Sequence, residues 1–213
     1  RDAGVKRFIY ASSSSVYGDD PSLVKREDRL GTLLSPYAVS KRANELFALN
    51  FSKVYGFETI GLRYFNVFGP RQDPNGPYAA VIPKFIEKLL KLARPVINGD
   101  GSFSRDFTYV ANVVDANLLA LTAPGESAHM VYNIAYGERT TLAELFELIK
   151  AELKKMDPAV AAIEAENGMP RTGDIPHSSA CIDKARSLLK YSPEIDLPSG
   201  LARSVEWYFK YFR

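Results

Sequence analysis

Tyr37 and Lys41, in the segment Ser35-Pro36-Tyr37-Ala38-Val39-Ser40-Lys41, set a phenol and an ammonium four residues apart. Ser35 is a helix-capping residue and Pro36 a first helical residue with φ already set. The spacing therefore predicts a helix that carries both groups on one face. An ammonium held beside a phenol favours the phenolate, because the nearby positive charge stabilises the charged form. An unperturbed tyrosine titrates near pH 10, so acting as a base at neutral pH asks roughly 4 kcal/mol of its surroundings. With 12 tyrosines in the chain, roughly 0.7 such pairs arise by chance. The neighbouring segments decide whether this one does chemistry.

On one side stands a short apolar strand at 6–11, ending in the run Ser12-Ser13-Ser14-Ser15-Val16-Tyr17-Gly18. Open α/β sheets bind ligands at the carboxyl ends of their strands, where this run falls. On the other side a strand at 58–65 ends at Asn66. A strand, a helix of about five turns and a second strand form a crossover unit, hence parallel pairing. The serine run, the Tyr37/Lys41 helix and Asn66 thus gather at one kind of sheet edge. A serine hydroxyl near the phenol can hydrogen-bond a substrate hydroxyl and help its proton move. Nucleophilic serine chemistry is a poor fit, because there is no Gly-x-Ser-x-Gly elbow and neither His129 nor His177 sits in a catalytic motif.

The remaining elements follow from periodicity and punctuation. The 36–55 helix carries Ala43, Leu46, Phe47, Asn50 and Phe51 at helical spacing. Pro, Gly and Asn crowd residues 71–78, and a change of domain is expected near here. Helices are predicted at 82–93 and 111–121, short strands at 96–98 and 104–110, and a strand at 130–134. Thr141 and Glu144 form a capping box opening a helix to about 155. Asp183 is expected to cap a helix to 189, and Ser199 to begin a last helix ending in Trp207-Tyr208-Phe209-Lys210-Tyr211-Phe212.

Bulk properties exclude several classes. A chain of 213 residues with 46% hydrophobic residues buries a sizeable core. The net charge of +2 offers no field for nucleic acid. Lys84, Lys88 and Lys91 share a helix face, read as a solvated one over an apolar stripe. One cysteine, Cys181, excludes an intrachain disulfide and a cysteine-based zinc site, and no metal is expected. No apolar run reaches membrane-spanning length, so a cytoplasmic location is expected.

Five motifs in order then carry a resemblance: the serine run to Gly18, Ser-Pro-Tyr-Ala-Val-Ser-Lys, Leu-Arg-Tyr-Phe-Asn-Val-Phe-Gly-Pro (62–70), Ser-Arg-Asp-Phe-Thr-Tyr-Val (104–110) and Tyr-Asn-Ile (132–134). Together they resemble the NAD-dependent nucleotide-sugar epimerase/dehydratase family of extended short-chain dehydrogenase/reductases. The resemblance implies an α/β fold: the C-terminal portion of a doubly wound, Rossmann-like parallel sheet at 1–66. A smaller α/β substrate domain follows at 67–213, with some segments returning to the first. It also implies Ser13, or Ser14 one residue on in the run, as catalytic serine, Tyr37 as acid/base and Lys41 on the nicotinamide ribose. NAD is the implied cofactor, with Ser12, Tyr37, Lys41 and Phe65 around it. Ser14, Asn66, Ala80, Val81, Asn98, Arg105, Arg171, Asp174 and Ser178 match substrate-contacting positions, the arginines on the diphosphate of a UDP-hexose. Their fork of donors suits those oxygens.

Arg-Thr-Gly-Asp-Ile-Pro-His-Ser (171–178) is similar to UDP-hexose 4-epimerases that take UDP-N-acetylglucosamine. Ser178 stands where galactose-restricted members carry a tyrosine, which leaves room for an N-acetyl group. The expected reaction is epimerisation through a transient 4-keto sugar. UDP-glucuronate epimerase or decarboxylase activity, or another nucleotide-sugar dehydration, is the alternative. Dehydration fits less well, since Ser14-Ser15 stand where dehydratases carry an Asp-Glu pair. The family opens with a strand, a Gly-rich loop and a helix that cradle the cofactor pyrophosphate, and none of these occurs in the 213 residues. The expectation is that about a third of the family's pattern lies outside them. The chain alone would then hold no NAD tightly and behave as an inactive fragment binding nucleotide-sugar weakly. Homodimerisation is a further implication, through two helices of which the Tyr37 helix is one.

Overall fold

The computed structural model describes residues 1–75, 80–169 and 175–212. Among them run three longer strands, β1 (Arg7–Ser13), β2 (Glu58–Tyr64) and β3 (Met130–Ile134), and five helices. The helices are α1 (Pro36–Tyr55), α2 (Val81–Leu90), α3 (Val110–Thr122), α4 (Leu142–Lys154) and α5 (Leu197–Phe212). The chain gathers into two units. The first comprises Arg1–Phe65, Ala111–Glu138 and Ser178–Glu194, the second Asn66–Val110, Arg139–His177 and Ile195–Arg213.

In the first unit the strands form a parallel sheet in the order β1-β2-β3, with Ser12 beside Arg63 and Leu62 beside Tyr132. The central strand is buried from Thr59 to Arg63, as expected of a parallel strand covered on both faces. α1 has the ends its sequence predicts. The Ser35 hydroxyl accepts from the Ala38 N–H at 3.1 Å, Pro36 opens the first turn, and Gly56 (φ 61°) closes the last. A left-handed residue after the last turn is where glycine costs least.

The buried face of α1 differs from the expected apolar stripe. Ala38, Glu45 and Ser52 are its buried residues, while Leu46, Phe47 and Phe51 are 51%, 69% and 40% exposed. The sheet holds this helix through polar groups: the Ser52 hydroxyl donates to the Phe57 carbonyl and pairs with Thr59 Oγ1 at 2.8 Å.

The serine run ends in a 3-10 turn, Ser14–Tyr17, closed by Gly18 at φ 54°. A Cβ at Gly18 would stand 1.8 Å from the Thr32 carbonyl oxygen. Gly18→Ala is therefore expected to destabilise the protein by about 1–3 kcal/mol or more, read as a lower urea midpoint at unchanged slope.

In the second unit α2 and α4 meet through Phe85 and Phe146, edge to face with centroids 6.1 Å apart. The capping box at α4 is present in both directions: Thr141 Oγ1 accepts from the Glu144 N–H at 3.1 Å, and Glu144 Oε2 accepts from the Thr141 N–H at 2.9 Å. Three expectations need correction. Residues 104–110 form two strands, because Ser104–Arg105 pairs antiparallel with Thr140–Thr141 while Thr108–Tyr109 pairs parallel with Val67–Phe68. α5 begins before Ser199, since Asp196 is the residue whose carboxylate accepts from the Ser199 N–H at 2.8 Å. Asp183 lies inside the helix it was expected to cap: residues 183–184 are helical and run into a π-helical turn, Ala185–Leu189, while the Asp183 carboxylate accepts from the Cys181 thiol at 3.2 Å. At the end of α5, Tyr208 is buried and Tyr211 is 67% exposed, so the aromatic cluster is only partly core.

Candidate active site

In the first unit α1 presents Tyr37, 40% exposed, with Lys41 Nζ 5.6 Å from the centroid of its ring. The ammonium also donates to the carbonyl of Ala11 near the carboxyl end of β1, at 3.0 Å. Ser13, two residues on, caps the 3-10 turn by accepting from the Ser15 N–H at 3.2 Å. Ser14 follows in that turn, half-buried. Two hydroxyl-bearing residues thus end β1, and a phenol with its ammonium stands on the helix that β1's last residues hold.

Behind these groups lies a buried ionic network that the sequence reading missed. Arg63 is 1% exposed at its side chain and Glu45 3%. Arg63 Nε and Nη2 donate to the two Glu45 carboxylate oxygens at 2.8 and 2.9 Å, a bidentate fork. Ser12 Oγ donates to Glu45 Oε1 at 2.6 Å, and Arg42 Nη1 to Oε2 at 2.8 Å. Arg63 Nη1 donates to the Tyr17 hydroxyl at 3.0 Å, which in turn donates to Asn133 Oδ1 at 2.6 Å. Burial alone raises the Glu45 pKa, but the hydrogen bonds and charge of Arg63, with those of Ser12 and Arg42, outweigh it and hold the carboxyl below its ordinary range. Burial likewise pulls the Arg63 guanidinium down, and Glu45 and Tyr17 more than restore it. Burial pushes the Tyr17 phenol up to about 12 against the opposing charge of Arg63. One signal was available in the sequence: an arginine inside the apolar run Thr-Ile-Gly-Leu-Arg-Tyr of a central strand requires a buried partner.

The second unit holds a cavity of about 730 Å³. That volume lies within the range of small-molecule sites. Asn66, Ala80, Val81, Asn98 and Arg105, five residues from four stretches of the sequence, all line it. Asn66 takes an unusual backbone angle (φ 22°), which asparagine tolerates better than most residues, and its amide donates to the Asp106 carbonyl at 3.4 Å. Arg105 Nη1 donates to the carbonyls of Ser104 and Pro176 at 3.0 and 3.1 Å. Lys84, Lys88 and Lys91 also line the cavity, so their face of α2 is more than a solvated surface. Phe107 joins them; it lies in the same Ser-Arg-Asp-Phe motif as Arg105.

Ser12 is 2% exposed and spends its hydroxyl on Glu45, so the hydroxyl is not presented to a cofactor. The Phe65 ring is fully buried, 6.0 Å from the ring of Tyr17, and belongs to the core. Ser178 is half-buried and directly precedes the short strand Ser179–Ala180 of the first unit. Arg171 and Asp174 lie outside the described residues. No group of acidic, histidine and cysteine side chains suited to a metal occurs among the described residues. No helix among them is long and apolar enough to cross a membrane.

Comparison with known proteins places this geometry. Over 208 residues the chain is 40% identical to a putative UDP-glucose 4-epimerase of Methanocaldococcus jannaschii, covering 97% of this chain and 64% of that protein. It superposes on the UDP-N-acetylglucosamine 4-epimerase of Methanobrevibacter ruminantium, solved with UDP-N-acetylmuramic acid. The TM-score there is 0.91 at 39% identity, over 99% of this chain and 65% of that one. The UDP-glucose 4-epimerase of Thermotoga maritima, solved with UDP-glucose, gives 0.89 at 36% identity over 100% of this chain and 66% of that one. The chain therefore spans about two thirds of the length of the relatives it matches. The shared architecture is an α/β, Rossmann-like parallel sheet with a smaller substrate-binding region. With residues 1–135 matching the pattern of the NAD dependent epimerase/dehydratase family as well, the chain belongs to that family.

Proposed function

We propose that this chain is the substrate-binding and proton-transfer part of an NAD-dependent UDP-sugar 4-epimerase of the UDP-N-acetylglucosamine/UDP-glucose type. The observation that carries the reading is the cavity on which Asn66, Ala80, Val81, Asn98 and Arg105 converge from four stretches of sequence. Its arginine suits a diphosphate, and its size suits a nucleotide.

The donor set on α1 fits the nicotinamide-ribose end of NAD: a part-exposed phenol and an ammonium on one helix face, both able to bond ribose hydroxyls. NAD, when bound, supplies the acceptor that takes hydride from the sugar and returns it. Every other task falls to the chain. The Ser13 hydroxyl hydrogen-bonds the sugar hydroxyl being oxidised. Tyr37 as phenolate accepts that hydroxyl's proton and gives it back after the ketone has turned over. Lys41, its Nζ 5.6 Å from the ring centroid, places a positive charge beside that transfer.

Arg105→Ala is expected to weaken UDP binding by about tenfold to a hundredfold, the worth of one charge-assisted contact, measured on the folded fraction because the variant also loses the bonds to the Ser104 and Pro176 carbonyls. Titration calorimetry with UDP checks this. The substrate is tested by a panel of UDP-sugars with NAD, on a protein extended at its amino terminus by the family's Gly-rich segment. UDP-N-acetylglucosamine is expected to be turned over best. A second reading, UDP-glucuronate 4-epimerisation, is favoured by one observation: Lys84, Lys88 and Lys91 line the cavity and suit a sugar with an added carboxylate. Preference for UDP-glucuronate in the panel selects it.

A further inference from the structure

We propose that Glu45 and Arg63 are positioning residues for the Tyr37/Lys41 pair, acting through Ser12 to set the phenol against the end of β1; the proposal rests on the proton-transfer role given to Tyr37 above. Tyr37, Lys41 and Glu45 follow one another at four-residue intervals along α1, so they share a face. Two of the three are fastened to consecutive residues of one strand. Lys41 donates to the Ala11 carbonyl at 3.0 Å, and Glu45 accepts from the Ser12 hydroxyl at 2.6 Å. The next residue is Ser13. The helix cannot slide or turn along β1 without breaking both ties.

Arg63 completes the device from the neighbouring strand, where it is the register partner of Ser12. Its Nε shares Glu45 Oε1 with the Ser12 hydroxyl, and its Nη1 reaches the Tyr17 hydroxyl at the end of the serine turn. One guanidinium therefore orients both the helix bearing Tyr37 and the turn bearing Ser14. A well-packed apolar pair would stabilise such a buried position as well or better. What an apolar pair lacks is direction: a planar fork on a carboxylate fixes angle as well as distance. The lateral cation of Arg42, 33% exposed, closes the remaining side of the carboxylate.

The test uses the amino-terminally extended protein with NAD and two variants, Glu45→Gln and the milder Ser12→Ala, which removes one hydroxyl and no charge. Turnover is normalised to the folded fraction measured by circular dichroism. The expected result is a fall in kcat of about tenfold to a hundredfold for each, with KM for the UDP-sugar within about threefold, because a misplacement of the order of an ångström has that effect on a proton-transfer group. The second readout needs no turnover. The ring resonance of Tyr37, in protein carrying ¹³C-labelled tyrosine and assigned by its loss in Tyr37→Phe, is expected to shift or broaden in Ser12→Ala. An unchanged kcat per folded enzyme in both variants, or a Tyr37 resonance that stays in place, overturns the proposal. If the unsubstituted enzyme turns over no UDP-sugar, the epimerase reading fails instead, and the resonance alone decides whether Glu45 and Arg63 position Tyr37.

Discussion

In the amino-terminally extended protein, on the proposed epimerase reading, replacing Tyr37 with phenylalanine is expected to lower turnover by about 10²–10⁴-fold, the usual contribution of a positioned acid or base. The change removes one oxygen from a side chain that is 40% exposed on the surface of α1. It leaves the helix ends, the Lys41–Ala11 bond and the buried Glu45–Arg63 fork in place. Stability should change by less than about 0.5 kcal/mol, as for other exposed substitutions. UDP affinity should be unaltered too, because the cavity that carries Arg105 has no residue of α1 in its lining. A fall in kcat with UDP binding retained by calorimetry identifies Tyr37 as the proton-transfer group. An unchanged rate removes it from that role.

The second large effect is on stability. Arg63→Ala is expected to cost about 3–5 kcal/mol, because it leaves the Glu45 carboxylate buried without its main partner. That is a large part of the 5–15 kcal/mol that holds a typical domain together. Pairing Arg63→Met with Glu45→Leu should recover most of the loss, since no buried charge is then left unpaired and Arg42, 33% exposed, keeps its contact with water. Urea denaturation of the two proteins separates these outcomes. The same pair predicts a dependence on pH. The folded-state pKa of Glu45 lies below its ordinary value, so its contribution is fully present above that ordinary value. It is lost as pH falls through the depressed folded-state pKa. The unsubstituted protein should therefore lose stability in that acid window, and the Glu45→Leu/Arg63→Met protein should lose less. Equal acid sensitivity of the two would show that other carboxylates dominate.

The parts of the molecule legible from sequence are those that depend on near neighbours. Both ends of α1 were readable because Ser35, Pro36 and Gly56 act on backbone groups within four residues of themselves. The α4 capping box was readable for the same reason. Where a segment's partner is distant, prediction failed. Residues 104–110 look like one strand, yet their two halves pair with segments before and after them in the chain. The apolar residues of α1 look like its buried stripe, yet the sheet takes the side bearing Glu45 and Ser52.

For the site, residue types and motif order carried the chemistry: a phenol and an ammonium one helical turn apart, a serine run at a strand end, an arginine suited to a diphosphate. Those are properties of side chains and of short spacings, which the chain carries wherever it folds. Only the tertiary structure gathered Asn66, Ala80, Val81, Asn98 and Arg105 around one cavity and brought the lysines of α2 to its wall. It alone turned the Ser12 hydroxyl and the Phe65 ring inward. It alone joined Ser12, Glu45 and Arg63, which are 33 and 18 residues apart, into one buried ion pair. Burial and long-range pairing are decided by what packs against each face, and no local pattern encodes that.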